Sequence, residues 1–448
     1  YWARALLIAI FGSNLWTVRI GSAVLGLATV LATCRLARSL PGGGERTAFL
    51  AGAIQLTTFQ FVYLHSARTG ELETALSFAF VLAAHLFLRA TAVAPGSSGF
   101  LLHHLCLVLI LNLKLPVAAI PIGAELAAFA LLPATKRHFG RWLRAGAVIL
   151  PLGLVWHGAQ VFLLGAVAWE VVTTMAGQAS GAIATGTGGR AANLVFYAGV
   201  IGFGAYPYAF AYPVAIAAVL KQRWGQPGAR EWQILGLFAA AVIVFYLGVA
   251  KAAPWYVIPV YPFLSLFLAR WLADLRERDA GRVELGAAAG VVALILFSGV
   301  NAAGFNPFAT TAIHIPMSLE WRQLAGVSPA AGVIGAAVVT AAGLLGLRRA
   351  LGPRLRVGLA LVLAALLIGT AGVRVALPLV NLGHQSAMAR LHRSLAESRA
   401  AGLPLFFPID VPGGSAYLVR YYFADEFEIR IAPGGARSVF QLVRERND

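Results

Sequence analysis

Apolar runs close to the length of a bilayer crossing recur along the chain, separated by short polar or basic segments. They fall at 15–34, 48–65, 72–88, 99–113, 116–133, 145–165, 193–220, 232–250, 255–273, 284–303, 329–347 and 357–379. Each is near the ~20 residues that cross a ~30 Å hydrocarbon core as a helix, so the pattern predicts about twelve transmembrane helices. Residues 1–12 read as the end of an interfacial helix, with Trp2 at headgroup level. From residue 380 the pattern changes. Phe406–Asp410, Ala416–Phe423 and Phe427–Ile431 read as strand, helix, strand. The expected architecture is an all-α polytopic membrane domain over 1–379, followed by a small α/β segment over 380–448. A segment of about seventy residues has a marginal core of its own.

Composition agrees with this. Of 448 residues, 59% are hydrophobic and 12% charged, and mean hydropathy is +0.77. A soluble domain carries about twice that charged fraction. The net charge of +17 does not indicate nucleic acid, because the cations form no continuous basic face. They sort by side instead. Arg35/Arg38/Arg46, Arg89, Lys136/Arg137/Arg141/Arg144, Lys221/Arg223/Arg230, Arg270/Arg276/Arg278/Arg282 and Arg348/Arg349/Arg354/Arg356 share one side of the predicted topology. Only Arg68, Lys114, Arg190, Lys251 and Arg322 fall on the other. The positive-inside rule makes the clustered side cytoplasmic. The segment 65–73, the loops 166–192 and 304–328 and the tail are then extracytoplasmic. Cys34 and Cys106 lie far apart in apolar runs and give neither a disulfide framework nor metal spacing. Gly181–Gly189 lacks the preceding strand and following Lys-Ser/Thr of a phosphate loop and reads as a flexible external loop.

Candidate chemistry concentrates in His65-Ser-Ala-Arg-Thr-Gly-Glu-Leu-Glu73, a polar knot between two spans. Acids are scarce here, and ionisable groups at membrane depth are costly and mark sites. On a helix over 66–74, Arg68 and Glu71 would share a face and Glu73 would lie roughly 200° around the axis. One acid would then be paired and the other left for a ligand or metal. The alternative is helix-end electrostatics, with Gly70 as N-cap and Glu73 at the third helical position.

Lys114 stands in Leu113-Lys-Leu-Pro116, where the proline separates two spans. Its ammonium is either a snorkelling anchor or a phosphate contact. Lys251-Ala-Ala-Pro-Trp-Tyr-Val-Ile-Pro-Val-Tyr-Pro262 is a second cation–aromatic block. Trp255, Tyr256 and Tyr261 suit interfacial anchoring, while the three prolines suggest a broken helix lining a cavity. Tyr206, Tyr208, Trp156 and His157 read as packing or satisfied polar groups.

Phe11-Gly-Ser-Asn-Leu-Trp-Thr-Val-Arg19 and the apolar run to Leu31 resemble the second span of bacterial dolichyl-phosphate-mannose–protein mannosyltransferase-like enzymes. These are GT-C glycosyltransferases, and the lipid A aminoarabinose transferases are relatives. Ala67–Glu73 resembles the family's Arg/acid motif after the third span. Lys114-Leu-Pro116 resembles its Lys-Gly-Pro element, with Leu115 in place of Gly. Lys251–Pro262 resembles its Lys/Tyr/Pro block, and the closing segment resembles the start of its soluble domain. The resemblance covers nearly the whole chain.

It implies a multi-pass protein of the bacterial inner membrane, active on the extracytoplasmic face. It implies inverting transfer of a sugar from a polyprenyl-phosphate donor to a lipid, glycan or protein acceptor. Lys114 and Lys251 would contact the lipid phosphate, with Tyr256 and His65 also binding substrate. Glu71 or Glu73 would line the reaction site, with Arg68 holding one of them. A divalent metal is possible, with no ligand set assigned. The family's catalytic base belongs to the first external loop and is expected upstream of Tyr1. The rival classes are a transporter or flippase of a lipid-linked intermediate, which predicts pseudo-repeated halves, and a noncatalytic scaffold. No internal repeat is evident.

Overall fold

A computed structural model describes residues 2–12, 15–63, 66–67, 72–92, 99–165, 169, 189–205, 208–209, 211–223, 228–249, 253–275, 405–408, 428–431 and 439–443. The predicted spans 284–303, 329–347 and 357–379 lie outside these residues, as does the predicted helix 416–423.

The helices are α1 (Trp2–Phe11), α2 (Leu15–Ser39), α3 (Glu45–Thr57), α4 (Phe59–Tyr63), α5 (Glu73–Ala92), α6 (Gly99–Leu113), α7 (Ala119–Leu131) and α8 (Pro133–Lys136). They continue with α9 (Phe139–Leu164), α10 (Gly189–Gly204), α11 (Ala211–Arg223), α12 (Ala229–Gly248) and α13 (Tyr261–Leu275). Short 3-10 turns at Leu115–Ala118 and Pro254–Val260 precede α7 and α13. Five helices among the described residues are long and apolar enough to cross a membrane, beginning at Arg19, Glu73, Phe139, Ala229 and Pro254. The chain is a multi-pass membrane protein.

Two predicted spans are broken. The run 48–65 ends as helix at Thr57; Thr58 is extended (φ −72°, ψ 118°), and α4 restarts at Phe59. The run 193–220 divides into α10, which ends at Gly204, and α11, which starts at Ala211. Hydropathy alone sees through both breaks because neither one threonine nor the short, largely aromatic stretch 205–210 interrupts the apolar average.

α5 is the central element. Glu73 in its first turn and Arg89 in its last complement the helix dipole. It packs against α2, α6 and the 254–260 turn. Phe87, fully buried, meets Phe129 at 5.5 Å, Phe100 at 6.4 Å and Phe238 at 6.4 Å, so one ring ties together α5, α6, α7 and α12. Around it Ala79, Ala83 and Ala84 are fully buried. Small residues let helices approach closely where lipid supplies no hydrophobic drive. Gly52 shows the same on α3: a Cβ there would stand 2.6 Å from Cys34 Sγ on α2. Hydroxyls inside the bundle bond their own helix, as Thr33 to the Thr29 carbonyl and Thr91 to the Phe87 carbonyl.

The chain divides into two compact units. The strands lie in the second and form an antiparallel sheet of order β1-β3-β2: β1 Leu405–Pro408, β2 Glu428–Ile431 and β3 Val439–Val443. Phe406 pairs with Gln441 and Ile429 with Leu442. β1 and β2 fall where strands were expected. The central strand β3 was not read from the sequence. Pro408, lacking a donor, ends an edge strand, where the ladder tolerates it.

Candidate functional site

α6 stops at Leu113 because Pro116 follows, and Lys114 is left extended between α6 and a 3-10 turn. Its backbone stays satisfied: the Lys114 N–H donates to the Ile110 carbonyl at 2.9 Å, and its carbonyl accepts from Val117 N–H at 2.9 Å. The side chain therefore leaves the helix at a fixed point. Lys114 Nζ lies 3.7 Å from Glu73 Oε1 and 4.3 Å from the centre of the Tyr256 ring. The Glu73 side chain is 7% exposed and that of Lys114 26%. An ammonium in this position is held by a carboxylate and a π face while part of it still reaches solvent.

The carboxylate is placed by the start of α5, where the dipole favours an anion. The helix begins at Glu73, with 66–67 and 72 in bend and turn conformations. This corrects two expectations. Glu73 is the first helical residue rather than the third after a Gly70 cap. It also pairs with Lys114 rather than standing as the free acid opposite a helical Arg68–Glu71 face. His65, Arg68, Glu71 and Lys251 lie outside the described residues.

Tyr256 is fixed by the proline-rich block. Pro254–Val260 is a 3-10 turn rather than a continuous helix. Tyr256 stacks on Tyr246 of α12 at 4.9 Å and 20°. Tyr246 is 6.5 Å from Tyr197 of α10, whose hydroxyl accepts the Ala253 N–H at 3.3 Å. Beneath them Gln60, buried in α4, donates to the Pro254 carbonyl and accepts the Tyr261 hydroxyl at 2.6 Å. Gly204 leaves room for this junction: a Cβ there would meet Gln60 Oε1 and the Tyr261 hydroxyl well inside contact distance. The α4 restart after Thr58 thus positions a polar anchor for the turn that carries Tyr256.

Of the residues read from the sequence, the structure brings together Glu73, Lys114 and Tyr256. Tyr246, Tyr197 and Gln60 were missed; single tyrosines in apolar runs are indistinguishable from packing. Tyr208 and His157 are structural: the Tyr208 hydroxyl meets Thr57 Oγ1 at 2.5 Å, and His157 Nε2 lies 3.1 Å from the Leu111 carbonyl.

A second polar cluster was also missed. His103 Nε2 lies 3.0 Å from Glu125 Oε2, which also accepts Trp142 Nε1–H at 2.7 Å. His103 and Glu125 are fully buried. Glu125 is a lone acid in an apolar run, the one sequence signal that marks it. Among the described residues no three His, Cys, Asp or Glu side chains converge as metal ligands.

Residues 1–157 match the family described as dolichyl-phosphate-mannose-protein mannosyltransferase. Two solved structures share the fold: ArnT from Cupriavidus metallidurans bound to undecaprenyl phosphate (18% identity, TM-score 0.59) and the same protein in the apo state (19%, 0.55). Each match covers 98% of this chain and 86% of that one. No curated protein matches the chain. The glycosyltransferase class suggested by the motifs is the class the family match returns. The polytopic helical architecture expected from the sequence is the fold these structures share.

Proposed function

From a membrane glycosyltransferase fold with this site, we propose that the chain moves a sugar from a polyprenyl-phosphate donor to a lipid, glycan or protein acceptor. The reaction takes place on the extracytoplasmic face of a bacterial inner membrane. The observation that carries the reading is Lys114 held between Glu73 and the Tyr256 ring. The related fold is seen with undecaprenyl phosphate in its own structure, and a lipid phosphate needs a partly open cation at the end of the bundle.

In the proposed step the acceptor hydroxyl attacks the anomeric carbon with inversion. The bond from that carbon to the phosphate oxygen breaks, and the electron pair leaves on polyprenyl phosphate. The hydroxyl proton passes to a carboxylate base. Lys114, with Lys251, stabilises the charge that grows on the departing phosphate. Glu73 and the Tyr256–Tyr246 stack hold the ammonium where that charge develops. Arg68, Glu71 and His65 contribute to the same substrate site. The membrane domain spans 1–379, and 380–448 forms an outer α/β segment.

Replacing Lys114 by Ala and measuring transfer from labelled lipid donor tests the reading. We expect kcat/KM to fall roughly 100-fold, the loss typical of one donor to a developing oxyanion, with partial retention in Lys114→Arg. Unchanged transfer by Lys114→Ala would remove the assignment.

A further inference from the structure

The arginine-rich end of the bundle holds an arrangement that topology alone does not require. α5 runs from Glu73 to Arg89, about 30 Å at 1.5 Å per residue. α6 returns from Gly99 to Lys114 beside Glu73. Phe100, at the start of α6, therefore sits at the end opposite the Lys114 site, and its ring is 6.4 Å from His138. His138 joins α8 to α9 and is 2% exposed.

Cations that set topology are ordinarily solvated. Here the donors are buried and unused. Arg141 Nη1, Arg230 Nε and His138 Nδ1 are each buried without a hydrogen-bond partner among the described residues. His138 Nε2 accepts from Arg137 Nε at 3.1 Å, which leaves the proton on Nδ1 as a further donor. Burial, together with the charges of Arg137, Arg141 and Arg230, holds the imidazole below its usual range, so it is neutral at pH 7. The acid bonded to these cations among the described residues is Glu231, paired with Arg230 Nη2 at 2.5 Å. One guanidinium thus donates to the imidazole and two more act on it electrostatically, while the other ring nitrogen and one donor each of Arg141 and Arg230 are buried without partners and the one carboxylate lies on Arg230. A buried charged donor left unmade is expensive, and what satisfies such a set is a multi-oxygen anion. Guanidinium forks match phosphate oxygens in pairs. The adjoining α9 surface is apolar and exposed at Phe139, Leu143 and Val148, so acyl chains could lie along it.

We propose that Arg137, His138, Arg141 and Arg230 form a phosphate-binding site at the cytoplasmic end of the bundle, separate from the Lys114 site. Its ligand is the phosphate of a membrane lipid headgroup or of a small soluble phosphate. Basic pockets between transmembrane helices on this side are suited to anionic headgroups. The site does not depend on the transferase reading, which the Lys114 variants test on their own.

The test is native mass spectrometry of the purified full chain, titrated with phosphatidylglycerol and separately with inorganic pyrophosphate as competitor. The double variant R141Q/R230Q should lose phosphatidylglycerol affinity about tenfold or more. R144Q removes one positive charge from an exposed position of the helix that carries Arg141 and should change affinity less than about twofold. Displacement of lipid by pyrophosphate would identify a soluble phosphate as the ligand; resistance would identify the lipid. Either result supports an oxyanion site. Equal binding by wild type and the double variant, or an equal loss in R144Q, would overturn it. If the double variant does not fold, R141K and R230K carry the comparison, since lysine keeps the charge and loses the fork. Each should weaken binding about threefold or more, and no change in either would overturn the site.

Discussion

At the scale of single residues, the Tyr256 ring is the least replaceable part of the proposed donor site. It offers Lys114 a face rather than a hydrogen bond, and Tyr246 fixes that face from below. A phenylalanine keeps both contacts. Tyr256→Phe should therefore leave the donor KM within about threefold. Tyr256→Leu, which removes a cation–π contact of ~1–2 kcal/mol, should raise it roughly tenfold. Steady-state kinetics with varied donor separates these outcomes, and equal KM values for the two variants would contradict the arrangement.

The same logic predicts the behaviour of the buried His103–Glu125 pair. Glu125→Leu removes the acceptor of Trp142 Nε1–H and the carboxylate 3.0 Å from His103 Nε2 in a dry environment. It should destabilise by about 3–5 kcal/mol. The double change His103→Leu with Glu125→Leu should recover part of that loss, because an apolar pair leaves no uncompensated charge. Thermal unfolding in detergent reads both; a double variant no more stable than Glu125→Leu would show that the pair is not the unit.

Among elements, the breaks matter more than the spans. Three interruptions build the site: the end of α6 before Pro116, the restart at Phe59 after Thr58, and the 3-10 turn at Pro254–Val260. A side chain on an unbroken helix points outward at fixed intervals. Lys114 and Tyr256 instead stand where the backbone changes direction, and so they can meet, while Gln60 anchors the turn that carries Tyr256. The proline positions were legible in the sequence, and with them the ends of α6 and the start of the turn. The α3–α4 break was not, since Thr57-Thr-Phe59 carries no proline or glycine and its conformation is set by neighbours. One consequence concerns the α2–α3 contact that leads into this break. Gly52→Val places carbon where Cys34 Sγ now lies, so we expect overpacking to destabilise the bundle by about 1–3 kcal/mol. A lowered midpoint in thermal unfolding checks it; an unchanged one would mean the helices separate freely there.

For the whole molecule, the claim that matters most is sidedness. The two polar centres lie at opposite ends of α5 and α6, so a single labelling experiment orients both. In a background lacking Cys34 and Cys106, Asn112→Cys should react with an impermeant maleimide added to intact cells. Ala134→Cys should react only after the membrane is opened. Both positions are exposed. The reverse pattern would put the Lys114 site on the cytoplasmic side and overturn the proposed active face.

The sequence by itself determined what depends on local rules. Apolar length gave the crossing helices of the described region, and proline marked where they stop. Cation distribution gave an expected orientation, and scarcity of acids drew attention to the segment that contains Glu73. Tertiary structure alone decided the partners. Glu73 was legible as an unusual acid but not as the counter-ion of Lys114, and no local pattern joined Tyr246 to Tyr256 or Gln60 to Tyr261. These contacts link residues far apart in the chain, and the packing of alanine- and glycine-lined helices selects them. In lipid, where apolar surfaces are interchangeable, shape and polar pairing choose which helices meet.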